Sequence, residues 1–383
     1  MLISTLLAAL VIAPHALAAL AIAEYDVPTS GSEAYYITVG PDGNMWFTEY
    51  TGNKIGKITT SGVITEYDIP TSGASPVGIT AGPDGNLWFT EGNGDKIGKI
   101  TPSGVITEYD IPTSNAGPWG ITAGPDGNMW FTEMLAGASK IGKITPTGVI
   151  TEYALPNGIE PTGITAGPDG NMWFTEESDY IGKITTTGVI TEYNIGTANR
   201  LDITAGPDGN LWFTELLNNK IDKITPGGSM SQYTIPSGAY AWGITTGPDD
   251  NIWFTEPTTG KLGSITPSGI VTEESLSNSG SQPIELITGP DNNIWFTESF
   301  ANKIGALSGV PVANHNSSTT PGTSGSGNNQ TSGPAAPDTG FGVPARDPLV
   351  GLLAAASLLS TAAGLAIAYR HRSSWHLIFR SRS

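Results

Sequence analysis

The 383-residue chain has no cysteine, so it forms neither disulfides nor thiolate metal sites, and its folded part rests on burial alone. Basic residues are scarce. Between residues 24 and 307, 33 Asp and Glu stand against 11 Lys and one Arg, a balance that repels nucleic acid and anionic lipid. Nucleic acid is therefore not an expected partner. Histidine is missing from the same stretch, the four in the chain being His15, His315, His371 and His376. No imidazole is available there as a base or a metal ligand. No part of residues 24–307 carries apolar residues at helical spacing over a helix's length, which excludes a helical solenoid.

What is there is repetition. Trp-Phe-Thr-Glu recurs at Trp46, Trp88, Trp130, Trp173, Trp212, Trp253 and Trp295, at intervals of 42, 42, 43, 39, 41 and 42 residues. A period near 40 signals a repeat architecture. The unit reads Gly-Ile-Thr-Ala-Gly-Pro-Asp-Gly-Asn-Leu-Trp-Phe-Thr-Glu, a variable stretch, Lys-Ile-Gly-Lys-Ile-Thr-Pro-Ser-Gly, then Val-Ile-Thr-Glu-Tyr-Asp-Ile-Pro. Four short apolar or alternating runs separated by turn residues predict four strands. The fold class is all-β, a seven-bladed β-propeller of four-stranded blades spanning residues 24–307.

The chain also indicates how the ring closes. Glu24-Tyr25-Asp26-Val27-Pro28 copies the fourth-strand run Glu66-Tyr67-Asp68-Ile69-Pro70, whereas none follows Lys303-Ile304-Gly305-Ala306-Leu307. The N-terminal segment is expected to pair beside residues 303–307 and complete blade seven, which removes free strand edges at the seam.

Outside the propeller the composition changes. Residues 1–23 have no charge after Met1 and end in Ala21-Ile22-Ala23, the form of a signal peptide cleaved before Glu24; an uncleaved N-terminal anchor is the competing reading. Residues 308–348 are rich in Ser, Thr, Gly, Asn and Pro and read as a disordered stalk. Residues 349–369 are uncharged and long enough to span a bilayer, and the tail 370–383 is basic, which places it in the cytoplasm. Ala336-Pro337-Asp338-Thr339-Gly340 resembles the Leu-Pro-x-Thr-Gly signal read by sortases, with Ala336 in place of leucine. Both a sortase signal and a plain membrane anchor predict an exported propeller held at the cell surface.

Most repeated residues have a structural reading. Asp42, Asp84, Asp126, Asp169, Asp208, Asp249 and Asp291 sit in Pro-Asp-Gly-type turns, with calcium ligation the lesser alternative. Trp and Phe of the second strand point to opposite faces and are expected between blades. The glutamate that follows, from Glu49 to Glu298, suits a repeated structural bond to the neighbouring blade, because a catalytic site needs unlike groups. Function should lie where the repeat breaks.

Gly-Ile-Thr-x-Gly-Pro-Asp-Gly, Leu-Trp-Phe-Thr-Glu, Asn-Lys-Ile-Gly-Lys-Ile-Thr and Ile-Thr-Glu-Tyr-x-Ile-Pro resemble the virginiamycin B lyase, or streptogramin lyase, family over residues 24–307. The resemblance implies a propeller and a metal-assisted elimination that opens a cyclic depsipeptide at its ester, using a histidine base and Mg2+ held by carboxylates. The family's histidines follow a proline in the first strands of blades six and seven. Here the matching residues are Trp242, after Ala241, and Ile284, after Pro283; the matching carboxylate two residues before the latter is Gln282. Glu298 meets the other metal-binding carboxylate approximately, and Glu285 is a candidate replacement base if burial raises its pKa. No cofactor is required unless lyase chemistry survives, in which case Mg2+ is.

Inter-blade loops and the turns between second and third strands gather on one face of a propeller. At those positions stand Tyr35, Tyr36, Tyr50, Trp119, Met134, Glu177, Asp179, Tyr180, Arg200, Asp202, Leu216, Tyr240, Trp242, Glu285 and Phe300. Asp202 and Glu285 replace a glycine that blades two, three, four and six keep. Aromatic faces with a few polar groups suit an extracellular glycan, peptide or macrocycle. Two functions stand, a monomeric surface-displayed recognition module and a divergent carbon–oxygen lyase, with packing aromatics that merely close the channel as the bland alternative.

Overall fold

Every Pro-Asp-Gly, Pro-Asp-Asp or Pro-Asp-Asn turn joins the first two strands of a blade, and seven four-stranded antiparallel sheets result in the computed structural model. It describes residues 19–135, 139–177, 180–196 and 199–313. Residues 314–348 of the expected stalk, the Pro337-Asp338-Thr339-Gly340 motif, the 349–369 segment, the basic tail and residues 1–18 lie outside the described residues; the expected stalk's first residues belong to the propeller, Ser308 ending a strand and Val310 packing in a core cluster. Among the described residues no helix is long and apolar enough to cross a membrane.

In blade one the strands are Ala34–Val39, Met45–Glu49, Lys54–Ile58 and Ile64–Asp68, and the next five blades repeat this order. The first strands touch in turn round the axis, and that of blade seven (Pro283–Thr288) meets that of blade one. Blade seven takes its fourth strand from the N-terminus. This strand, Ala21–Asp26, pairs antiparallel with Lys303–Ser308 from Ala21↔Ser308 to Asp26↔Lys303. Closure is as the sequence predicts, but the strand starts at Ala21, three residues before the copied motif. Cleavage after Ala23 would thus remove half of it. At the seam Asn302 Nδ2 donates to the carbonyls of Val27 (2.9 Å) and Thr29 (3.1 Å), repeating the bonds that Asn53 makes to Ile69 and Thr71 inside the chain.

Strand alternation sends Trp and Phe of the second strand to opposite faces of the sheet. Trp46 consequently packs with Phe89 of blade two, and Phe47 with Trp295 of blade seven. Six of the seven tryptophans at this position are less than 2% exposed. Each indole is also held at its edge: Asp42 accepts from Trp46 Nε1 at 3.0 Å and from Asn44 Nδ2 at 2.8 Å. These bonds hold the Asp42 carboxyl below its usual range despite the opposing effect of partial burial. Tyr67 stacks on Trp46 at 5.6 Å, and Lys57 Nζ sits 5.0 Å from the indole centroid. Gly104 of blade two, at φ +92°, lies so close to the Tyr67 ring that a Cβ would overlap it.

The inter-blade bond expected of the glutamate belongs instead to the threonine before it. Thr48 Oγ1 donates to Val77 O of the next blade at 2.8 Å and accepts from Tyr36 N at 3.0 Å. It thereby serves an N–H released by the register shift in the first strand. The same bond runs round the ring to its last member, Thr297 to Tyr35 O at 2.8 Å, which joins blade seven to blade one. The glutamates are buried beneath the loop face. Both carboxyl oxygens of Glu49, Glu91, Glu133, Glu176 and Glu298 lack a hydrogen-bond partner among the described residues. Burial, aided by the nearby outer-strand carboxylates, pushes Glu49, Glu91, Glu133 and Glu176 up to about 8. They are neutral acids near pH 7.

Candidate functional site

The first strand of each blade begins at the loop face and runs down the channel wall, so successive residues of the seven first strands form tiers round the axis. The second position of the repeat supplies Tyr35, Val77, Trp119, Thr162, Leu201, Trp242 and Ile284, and the third supplies Tyr36, Gly78, Gly120, Gly163, Asp202, Gly243 and Glu285; in blade six Trp242 and Gly243 stand just before the strand, which is Ile244–Thr246.

The upper tier is joined across the axis by aromatics. The Tyr35 ring lies 5.9 Å from Trp119 of blade three and 6.2 Å from Trp242 of blade six, edge to face in both cases. Tyr50, from the turn after the second strand, packs on Tyr35 at 5.6 Å. Burial, with the neighbouring Tyr50, drives the Tyr35 hydroxyl well above its usual range, and burial raises Tyr240 to about 12. Trp242 is only 3% exposed, whereas Tyr35, Tyr50, Trp119 and Tyr240 are half-buried.

Asp202 and Glu285 occupy the tier beneath. Asp202 Oδ2 accepts from Ile244 N at 3.0 Å. Glu285 Oε1 accepts from Leu286 N at 3.1 Å. Burial pushes Asp202 up to about 7; Glu285 is driven well above the carboxylate range by burial and then by the charge of Asp202. The Tyr36 hydroxyl, raised by burial and by these two carboxylates, takes a hydrogen bond from the Trp119 indole.

Tyr180 starts the third strand of blade four opposite Asn194, where other blades have Lys54 or Lys96. Phe300 is 52% exposed on the turn after the second strand of blade seven. Arg200 begins the first strand of blade five, paired with Glu215; its side chain and Asp179 lie outside the described residues. The sequence places Tyr36 only among the loop-face residues; its link to Asp202 and Glu285 runs across the axis, and no sequence spacing signals it.

The magnesium site implied by the resemblance does not fit. Ile284 is fully buried and apolar, Trp242 is packed under Tyr35, and Glu298 is one of seven equivalent buried glutamates rather than a singular ligand. Gln282 supplies a neutral amide where a carboxylate is called for.

The virginiamycin B lyase family model matches residues 18–199 and 136–323. Virginiamycin B lyase from Bacillus licheniformis is 54% identical over 41 residues, a match spanning 11% of this chain and 14% of that protein. The crystal structure of virginiamycin B lyase from Staphylococcus aureus is 40% identical with a TM-score of 0.72, covering 76% of this chain and 99% of that one. The extracellular domain of a putative hybrid two-component system from B. thetaiotaomicron shares the fold at 15% identity, with a TM-score of 0.59 over 74% of this chain and 40% of that one. By repeat, blade topology and family match, the chain belongs to the virginiamycin B lyase family.

Proposed function

We propose that this propeller is an exported, non-catalytic recognition module whose loop face takes a glycan, a peptide or a macrocycle. The observation that carries this reading is the pair of residues standing where the family resemblance calls for histidines. Trp242 and Ile284 can neither accept a proton nor hold a metal, and residues 24–307 contain no histidine to replace them. The half-buried rims of Tyr50, Trp119 and Tyr240 offer stacking area, and the carboxyls below them offer polar contacts that fix orientation. Ala313 N donates to Pro248 O, on the end of the ring opposite the loop turns.

The second reading, a divergent carbon–oxygen lyase, is favoured by Glu285, a carboxyl in the channel whose pKa burial and then the charge of Asp202 drive above the carboxylate range. The two readings part in one assay. The purified protein, incubated with a streptogramin B depsipeptide and Mg2+, is expected to leave the ring closed at the rate of buffer. Saturable Mg2+-dependent ring opening, lost in Glu285→Gln, would establish the lyase. For recognition, Trp119→Ala is expected to weaken binding to glycan or peptide array hits about tenfold, the usual scale for removing one stacking aromatic. Arrays without hits leave the aromatics as channel packing.

A further inference from the structure

We propose that Asp202, Glu285 and Tyr36 form a binding site for one divalent metal ion of the Mg2+ or Ca2+ class inside the central channel. The site is distinct from the positions at which the family resemblance places its metal, 282, 284 and 298. It stands whether or not the loop face takes an organic ligand, since the ion alone is its probe.

Three observations converge on it. Four of the seven residues in this tier are glycines, and the other three all carry oxygen. The two carboxyls approach blade six from either side: Asp202 holds the N–H of Ile244, while Glu285 Oε1 lies 2.9 Å from where a Cβ on Gly243 would stand. Glycine at 243 is what admits the Glu285 carboxyl. The third observation is independent of the grouping. Glu285 is only 5% exposed, yet its Oε2 has no hydrogen-bond partner among the described residues. An orphaned carboxyl oxygen in such a place costs free energy that a bound cation offsets.

The chemistry favours a hard dication. All available donors are oxygens, two of them carboxylates that repel one another when ionised, and channel water completes an octahedral or larger shell. The competitor is the proton. The titratable groups facing the pair are Tyr35 and Tyr36 from blade one, while blade six presents only the backbone of Gly243 and Ile244. Protons compete with a dication for carboxyl oxygens, so acid weakens binding.

The test uses the full chain and Mn2+, counted by electron paramagnetic resonance and by calorimetry at pH 8. One tight ion per chain is expected, with affinity falling at least tenfold at pH 5.5. Asp202→Asn and Glu285→Gln should each weaken it at least tenfold, while Glu298→Gln leaves it unchanged. The parent's pH dependence needs no variant and keeps the test decisive if a substitution fails to fold. The proposal is overturned if the parent binds no Mn2+, if the tight ion survives Asp202→Asn, if Glu298→Gln removes it, or if acid leaves it in place.

Discussion

The seven blades are alike at the rim and unlike at the axis. At the rim each indole meets the same aspartate, and the stacked tyrosine recurs in six of the seven blades, with distances that vary by a few tenths of an ångström. At the axis one tier holds tyrosine, four glycines, aspartate and glutamate. The difference teaches where each part of the sequence acts. Every rim residue serves the packing between two blades and recurs with the blade, whereas an axial residue faces six different neighbours and is free to be singular.

Three experiments bear on that comparison. The largest effect is expected at the rim. Trp88→Ala removes a fully buried indole from an inter-blade core and should cost about 3–5 kcal/mol in chemical denaturation. Trp119→Ala, on a half-buried axial ring, should cost less than half of that. Equal losses would abolish the distinction between the two regions.

Next in size is the response to pH. Glu49, Glu91, Glu133 and Glu176 hold their protons up to about 8 in the folded state, whereas in the unfolded chain they ionise at the ordinary 4.5. Their contribution is therefore fully present below about pH 4.5 and is lost as pH rises through 8. Melting temperature should fall between pH 5 and pH 9, and Glu133→Gln should flatten that slope while leaving the pH 5 value close to the parent's. A rising melting temperature over this range would show that the buried glutamates are ionised. The turn aspartates, held below 3.8, add the opposite trend only under strongly acid conditions.

The smallest effect is expected of a single inter-blade hydroxyl. Thr132→Val unpairs the carbonyl of Thr162 and the N–H of Gly120, a loss of about 1–3 kcal/mol. The same change at Thr297, where blade seven meets blade one, should also raise sensitivity to proteolysis at the N-terminal strand. Matching proteolysis rates in the two variants would show that the seam is no weaker than any other blade junction.

Much of this was legible beforehand. The repeat period, the turn residues and the stray copy at Glu24-Tyr25-Asp26 determined blade number, strand order and closure, because these depend on local alternation and on counting. Ala21-Ile22-Ala23 was harder. Its small residues have the form of a cleavage site, and only pairing with Ala306, Leu307 and Ser308 shows them as strand. The inter-blade bond that the sequence suggests for the glutamate belongs to the threonine beside it, since the two are adjacent in every repeat. Register alone decides which reaches the next blade.

By itself, then, the sequence determined a closed seven-bladed propeller without histidine, since periodicity and composition are properties of the chain. The tertiary structure decided which singular residues meet. Tyr36, Asp202 and Glu285 are separated by 166 and 83 residues, and no spacing rule joins them. They share one tier because the ring brings blades one, five and seven round a common axis, where burial raises the pKa of both carboxyls.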